Sequence, residues 1–258
     1  EHPDVRRTLM LLKSYAEGLR ALCFHAAHLQ DQTRLADPST DEAKAIDRRN
    51  DLLLPLVKGY SSEVVYKLLA QALQVFGGSG YCQDYPIEQY IRDQKIDTLY
   101  EGTTHIQALD LLFRKVARDQ GATLQSLFAD IQKTIDDEVG GAVLADERKR
   151  LLRGLQDVQG MYMAMMGKMG DSIYHAGFQA NRILEATAEL VIAWLLVQHA
   201  AIAAPKIEGA NAADKPFYEG KVASAKFFCK NILPGLTLAR KLVEDSDTTL
   251  MDVDESIF

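Results

Sequence analysis

The chain has 258 residues, 47% of them apolar and 25% charged, enough for one large domain or two smaller ones with cores of their own. Seven prolines and seventeen glycines are few, which favours helix over sheet, and the net charge of −7 argues against a nucleic-acid binder that works by neutralising phosphates. Cys23, Cys82 and Cys229 form no CxxC pair and cannot all pair within the chain, the pattern of a reduced, intracellular protein.

Leu9, Leu12, Ala16, Leu19 and Leu22 or Cys23 recur at three- and four-residue steps and predict a helix with one buried face over Asp4–Gln32. ADPSTDEA at 36–43 is a loop whose Ser39, Thr40 and Asp41 suit the cap of a second helix. Pro55 predicts a break or kink there, with a restart near Gly59, Ser61 and Ser62 into EVVYKLLAQALQVF. GGSGY at 77–81 stops that helix. A short helix around Pro86–Gln94 follows, then a turn carrying TLYEGT, then HIQALDLLFRKVARD with Thr103 or Thr104 as its cap. Gln120–Gly121–Ala122 is the predicted domain junction. Beyond it, helical patterns cover 123–139, 146–170, 173–204 and 215–244, and antiparallel helices with mostly short links make a bundle. The chain reads as all-α, divided into 1–119 and 120–258, and the acidic tail DSDTTLMDVDESIF docks or frays.

The opening EHPDVRRTLM puts charge where the apolar segment of a signal peptide would stand. Leu190–Ala204 is the most apolar stretch, but at ~1.5 Å per residue it spans ~22 Å against a ~30 Å hydrocarbon core, so it predicts a buried helix and no membrane span. His25, His28 and Asp31 sit at steps of three on one helix and drift by ~60° per step, away from the single point a zinc ion requires; a packed or solvated face is expected, and no metal site. Met161, Met165 and Met169 form a helical stripe that predicts core packing, with Met163 and Met166 beside it. Arg148–Lys149–Arg150 predicts a solvated helix face.

The chemistry-bearing stretch is Gln74–Gln107, QVFGGSGYCQDYPIEQYIRDQKIDTLYEGTTHIQ. It holds two devices. Gly77, Gly78 and Gly80 end a helix where missing Cβ atoms let a ligand approach the backbone, although glycine-rich helix ends are also plain caps. Glu101, between Tyr100 and Gly102, puts a carboxylate on a turn before a helix N-terminus, where it could equally just complement the helix dipole.

In this order and spacing the run resembles the C-terminal signature of the acyl-CoA dehydrogenase family: Gln74 to Tyr81, then Tyr85–Pro86–Ile87–Glu88, Arg92–Asp93–Gln94–Lys95–Ile96, Tyr100 to Thr103, and Ile106–Gln107. HPDVRR, EGLRAL and LLPLVKGY also look like the family's C-terminal helical domain. IQALDLLFRK resembles the longer bacterial branch, which adds a further helical domain, and 120–258 fits that addition.

The resemblance implies that Glu101 is the catalytic base of an enzyme that oxidises a fatty acyl-CoA to the trans-2-enoyl-CoA, with FAD taking the β-hydride. It implies that the Glu101 N–H helps hold the thioester oxygen, that Gly102 lets the turn present both amide and carboxylate, and that Tyr100 lines the acyl channel. Gln74, Val75, Phe76, Gly77 and Gly78 match the segment that touches the adenine end of FAD, usually that of a neighbouring subunit. Thr103 and His105 match further flavin contacts, His105 standing where Gln is common. Arg92–Asp93 are expected to hold the turn as an ion pair or cap. The implied partners are the acyl-CoA, electron transfer flavoprotein, a second copy in a homodimer, and an N-terminal part of the same protein that carries the remaining flavin and CoA contacts. The expected compartment is the bacterial cytoplasm, with the mitochondrial matrix second. The competing class is a non-catalytic helical module that binds DNA or protein.

Overall fold

A computed structural model describes residues 2–258, of which 83% are helical with no strand among them. The first half runs α1 (Pro3–Leu35), α2 (Asp41–Pro55), α3 (Ser61–Phe76), α4 (Ile87–Lys95) and α5 (Thr104–Leu109). The second runs α6 (Ala122–Asp136), α7 (Ala145–Met169), α8 (Tyr174–Ala203), α9 (Lys215–Asn231) and α10 (Pro234–Glu244).

Thr40 caps α2 as expected, its hydroxyl accepting the Ala43 N–H at 3.2 Å. Pro55 breaks nothing. It cannot donate to the preceding turn, yet the chain stays helical through a widened π turn over Leu56–Tyr60 and runs directly into α3. Thr103 occupies the cap position of α5 but caps through its backbone only: its carbonyl accepts the Gln107 N–H at 3.0 Å and its side chain makes no capping bond. After α5 the chain widens again into a π turn over Asp110–Val116 and reverses through two left-handed residues, Gln120 (φ 56°) and Gly121 (φ 83°), at the expected junction. The single helix expected over 215–244 is two, because Pro234 lacks the N–H that would continue α9.

Helix α8 is the hub. It is apolar on nearly every side and packs against α1, α5, α7 and α9, so Leu190, Val191, Ile192, Ala193, Leu196 and Val197 are fully buried. Most of the buried apolar residues form one continuous core from Leu11 in α1 to Val243 in α10. At 30 residues α8 matches the helix expected over 173–204 and is long and apolar enough to cross a membrane, but 72% of its most apolar window is buried inside the fold. Met161 and Met165 lie in the core and Met169 packs on it, while Met163 and Met166 are exposed. His25 meets the Trp194 ring edge-on at 5.7 Å, and His28 and Asp31 are exposed.

The basic run 148–150 corrects the sequence reading. Arg148 is buried, and its guanidinium donates to the carbonyls of Val139 (2.9 Å) and Gly141 (2.6 Å), closing the turn between α6 and α7. Only Lys149 is fully solvent-facing.

Candidate active site around Glu101

The turn that carries Glu101 joins α4 to α5. After Lys95 the chain makes a short 3-10 turn over Ile96–Thr98, and the Leu99 and Tyr100 N–H groups both bond the Ile96 carbonyl, at 2.9 and 3.2 Å. Glu101 then adopts φ 55° and Gly102 φ 92°. Glycine takes the left-handed region freely; for Glu101, which has a Cβ, it costs on the order of 1–2 kcal/mol. Non-glycine residues held there cluster at functional sites.

Side chains hold the turn in place. The Lys58 ammonium, from the π turn, donates to the carbonyls of Asp97 and Gly102, each at 2.8 Å, and lies 5.6 Å from the centre of the Tyr100 ring. Gln107 donates its amide to the Glu101 carbonyl at 2.9 Å. Thr104 donates to Glu63 of α3 at 3.0 Å. Gly59 makes room for this: a Cβ there would lie 3.0 Å from Gln107 Cβ and 2.8 Å from Leu184 Cδ2. With these carbonyls engaged, no hydrogen bond among the described residues takes up the Glu101 or Gly102 N–H.

Glu101 is exposed, and so is the apolar surface beside it: Ile96, Leu99, Tyr100 and Ile106 are each between 50% and 55% exposed. The Tyr100 hydroxyl is held above its ordinary pKa by the negative charge of Asp97, so it stays a neutral donor. A carboxylate, free amide donors and an open apolar surface thus meet on one turn. Tyr100, Glu101, Gly102 and Thr103 come together as the sequence predicts.

His105 is one turn further along, on α5. Its Nδ1 pairs with Asn181 Oδ1 of α8 at 2.9 Å, which leaves Nε2 for any ligand. Arg92 forms an ion pair, but with Glu88 one turn back at 3.0 Å rather than with Asp93, and both Arg92 and Asp93 are exposed.

Gln74, Val75, Phe76, Gly77 and Gly78 lie at the other end of α3, whose 16 residues span about 24 Å. The structure does not bring them to the Glu101 turn. Gly77 has φ 60° and ψ −148°, a conformation open essentially to glycine alone. Nothing lies within 4 Å of where a Cβ would stand on Gly77 or Gly78, so a ligand has room against that backbone. Gly80 differs: a Cβ there would meet Phe76 Cβ at 2.8 Å and the Leu73 carbonyl at 2.9 Å, so its role is packing. Phe76 is half exposed, and its ring lies 5.2 Å from that of Tyr85 at a tilt of 50°. Open backbone beside an exposed aromatic ring fits the flat, polar adenine end of a dinucleotide.

Sequence reasoning missed Lys58. Its one local signal is a lone lysine in the apolar run LLPLV–GY between Pro55 and Gly59.

Comparison with known proteins identifies the family of the chain. Residues 1–115 match the family described as acyl-CoA dehydrogenase, C-terminal domain, and residues 127–254 match that described as acetyl-CoA dehydrogenase C-terminal like. The broad-specificity linear acyl-CoA dehydrogenase FadE5 of Mycobacterium tuberculosis is 47% identical over the whole chain, which spans 43% of that protein. A butyryl-CoA dehydrogenase of Syntrophomonas wolfei is 31% identical over the whole chain, which spans 42% of it. Two solved structures share the fold. The Bacillus anthracis acyl-CoA dehydrogenase complexed with FAD superposes with a TM-score of 0.71 at 18% identity, over 98% of this chain and 45% of its own. Caenorhabditis elegans ACDH-11 in complex with C11-CoA does so with a TM-score of 0.70 at 19% identity, over 96% of this chain and 41% of its own. The chain spans less than half the length of these relatives, and it belongs to the acyl-CoA dehydrogenase family, whose C-terminal helical domains it matches.

Proposed function

We propose that this chain supplies the catalytic base and part of the FAD site of an enzyme that dehydrogenates a fatty acyl-CoA to the trans-2-enoyl-CoA. The observation that carries the reading is Glu101 itself: a carboxylate held at φ 55° beside exposed apolar side chains, with N–H groups that no protein acceptor uses.

Glu101 takes a proton from the carbon next to the thioester carbonyl. FAD, when bound, supplies the acceptor for the β-hydride. The Glu101 N–H points a donor at the thioester oxygen, where charge grows as the α-proton leaves; such a donor is worth on the order of 3 kcal/mol. Tyr100, with Leu99 and Ile106, forms the wall along which the acyl chain lies, and Gly102 allows the turn its shape. Thr103 and His105, through its Nε2, would supply hydrogen bonds to the flavin.

Gln74 to Gly78 sit about one helix length from Glu101, too far to serve the same end of one cofactor. The reading assigns them to the adenine end of a neighbouring subunit's FAD, in a homodimer. Electron transfer flavoprotein as the onward acceptor and the bacterial cytoplasm as the compartment complete it, supported by the motif resemblance and the bacterial relatives.

The test uses the full-length protein. A panel of saturated acyl-CoAs is added anaerobically, and flavin bleaching and enoyl-CoA formation are followed together. Bleaching with at least one chain length is expected, and the panel then defines the preferred length. A protein that holds no flavin, or flavin that no acyl-CoA reduces, overturns the reading.

A further inference from the structure

Three backbone carbonyls of the Glu101 turn are anchored by side chains from two other elements. Lys58 stands on the π turn between α2 and α3 and is partly buried, and its ammonium bridges the carbonyls of Asp97 and Gly102, one on each side of Glu101. Gln107, one turn into α5, holds the carbonyl of Glu101 itself. Apart from the two N–H bonds to Ile96, no backbone bond ties residues 99–102 to the rest of the described fold.

The geometry assigns Lys58 and Gln107 as positioning residues: by pinning the carbonyls of Asp97, Glu101 and Gly102 they fix where the Glu101 carboxylate and the adjacent amide donors stand. The physical reason is the planarity of the peptide bond. A trans peptide sets its N–H opposite its C=O, so drawing the Glu101 and Gly102 carbonyls inward turns the Gly102 and Thr103 N–H groups outward.

An ammonium suits this task. It offers three donors around one point, enough to satisfy two carbonyls that diverge across a turn. The widened π turn brings it there: an insertion of this kind in a helix displaces a side chain from the regular helical face, and such turns recur at functional sites. Gly59, next in sequence, keeps the space that Gln107 fills, so the lysine, the glycine and the glutamine form one packed unit. The arrangement also holds a strained residue in place, since Glu101 has no conformational preference of its own for φ 55°.

This inference rests on the reading of Glu101 as the base, and its test separates the two. Lys58→Met keeps the aliphatic stem and removes the ammonium; Gln107→Met does the same for the amide. Each is made in the full-length flavoprotein and read in two ways. The first readout is amide hydrogen exchange at Leu99 and Tyr100, which needs no catalysis. Exchange about tenfold faster than in the parent is expected, with α1 and α8 unchanged. The second is exchange of the α-protons of 3,3-dimethylbutanoyl-CoA with deuterated water. This thioester has no hydrogen on its β-carbon, so proton removal is read without hydride transfer. A fall of about ten- to a hundredfold is expected with the analogue's dissociation constant unchanged, because a misplaced base loses rate rather than affinity. Where Lys58→Met does not fold, Gln107→Met decides both readouts. Unchanged amide exchange at Leu99 and Tyr100 overturns the positioning role. A parent protein that leaves the α-protons of the analogue in place overturns the assignment of Glu101 as base, and the amide readout still judges the clamp.

Discussion

Tyr60, in the π turn that carries Lys58, donates its hydroxyl to Glu189 Oε1 of α8 at 2.9 Å. The Tyr15 hydroxyl of α1 lies 3.2 Å from that of Tyr60, so three helical segments from both halves of the chain meet at one buried polar cluster. The same π turn therefore faces the Glu101 turn on one side and the central helix on the other.

Burial pushes the Glu189 carboxyl up to about 7, with the negative charge of Glu185 adding to the shift and the Tyr60 hydrogen bond and Lys67 opposing it. An acid whose pKa is raised by folding is at no disadvantage below its unfolded value of 4.5, and the fold loses stability as pH rises from there through 7. Thermal unfolding of the full-length protein is expected to show a loss on the order of 2–3 kcal/mol across that window. Glu189→Gln removes the titration, so its melting temperature is expected to stay flatter between pH 5 and 8. A parallel pH dependence in the variant contradicts the assignment.

Gly18 of α1 packs against α8 so closely that an added Cβ would lie 2.4 Å from Ile192 Cγ2. In an exposed helix, replacing glycine by alanine gains about 1 kcal/mol. Here Gly18→Ala is expected to cost about 1–3 kcal/mol, because overpacking outweighs the gain in propensity. In the Ile192→Ala background the space is open and the same change is expected to be harmless or stabilising. A double-mutant cycle measured by denaturant unfolding reads the coupling, and additivity would show that α1 and α8 do not pack this way.

Holding Glu101 at φ 55° opposes stability. Glu101→Gly releases strain of about 1–2 kcal/mol and loses about 0.4–1 kcal/mol to the freer unfolded chain, so a small net gain is expected. The variant should melt slightly higher than the parent while losing flavin reduction. A clear drop in melting temperature would mean that the left-handed conformation carries no strain.

Arg148 and Lys149 are neighbours with opposite expected costs. Arg148→Met removes two charge-assisted bonds that a buried guanidinium makes to the Val139 and Gly141 carbonyls, at a cost of about 2–3 kcal/mol. Lys149→Met, on the exposed face, is expected to stay within about 0.5 kcal/mol. Equal effects in urea unfolding would return Arg148 to the solvated face.

What the sequence made legible was local. The glycines at 77 and 78, the Tyr100–Gly102 turn and the stripe of Met161, Met165 and Met169 each carry their message within a few residues. The cap at Thr40 does so as well. Lys58 was illegible because its partners, Asp97 and Gly102, lie about forty residues away and are backbone atoms, which leave no side-chain signature. Arg148 was misread for the same reason. Its partners are carbonyls, and a run of basic residues looks solvated until the turn that buries one of them is known. The continuity of Pro55 into α3 depended on a widened turn that no residue spacing announces.

The most direct measurement is the rate of anaerobic flavin reduction by a saturated acyl-CoA in the full-length protein, compared with Glu101→Gln under the same conditions. The carboxamide keeps the size of the side chain and cannot take the proton. Reduction slower by at least about a hundredfold, with flavin content and fold retained, is the predicted result. Reduction at the parent rate would contradict the assignment of Glu101 as the base.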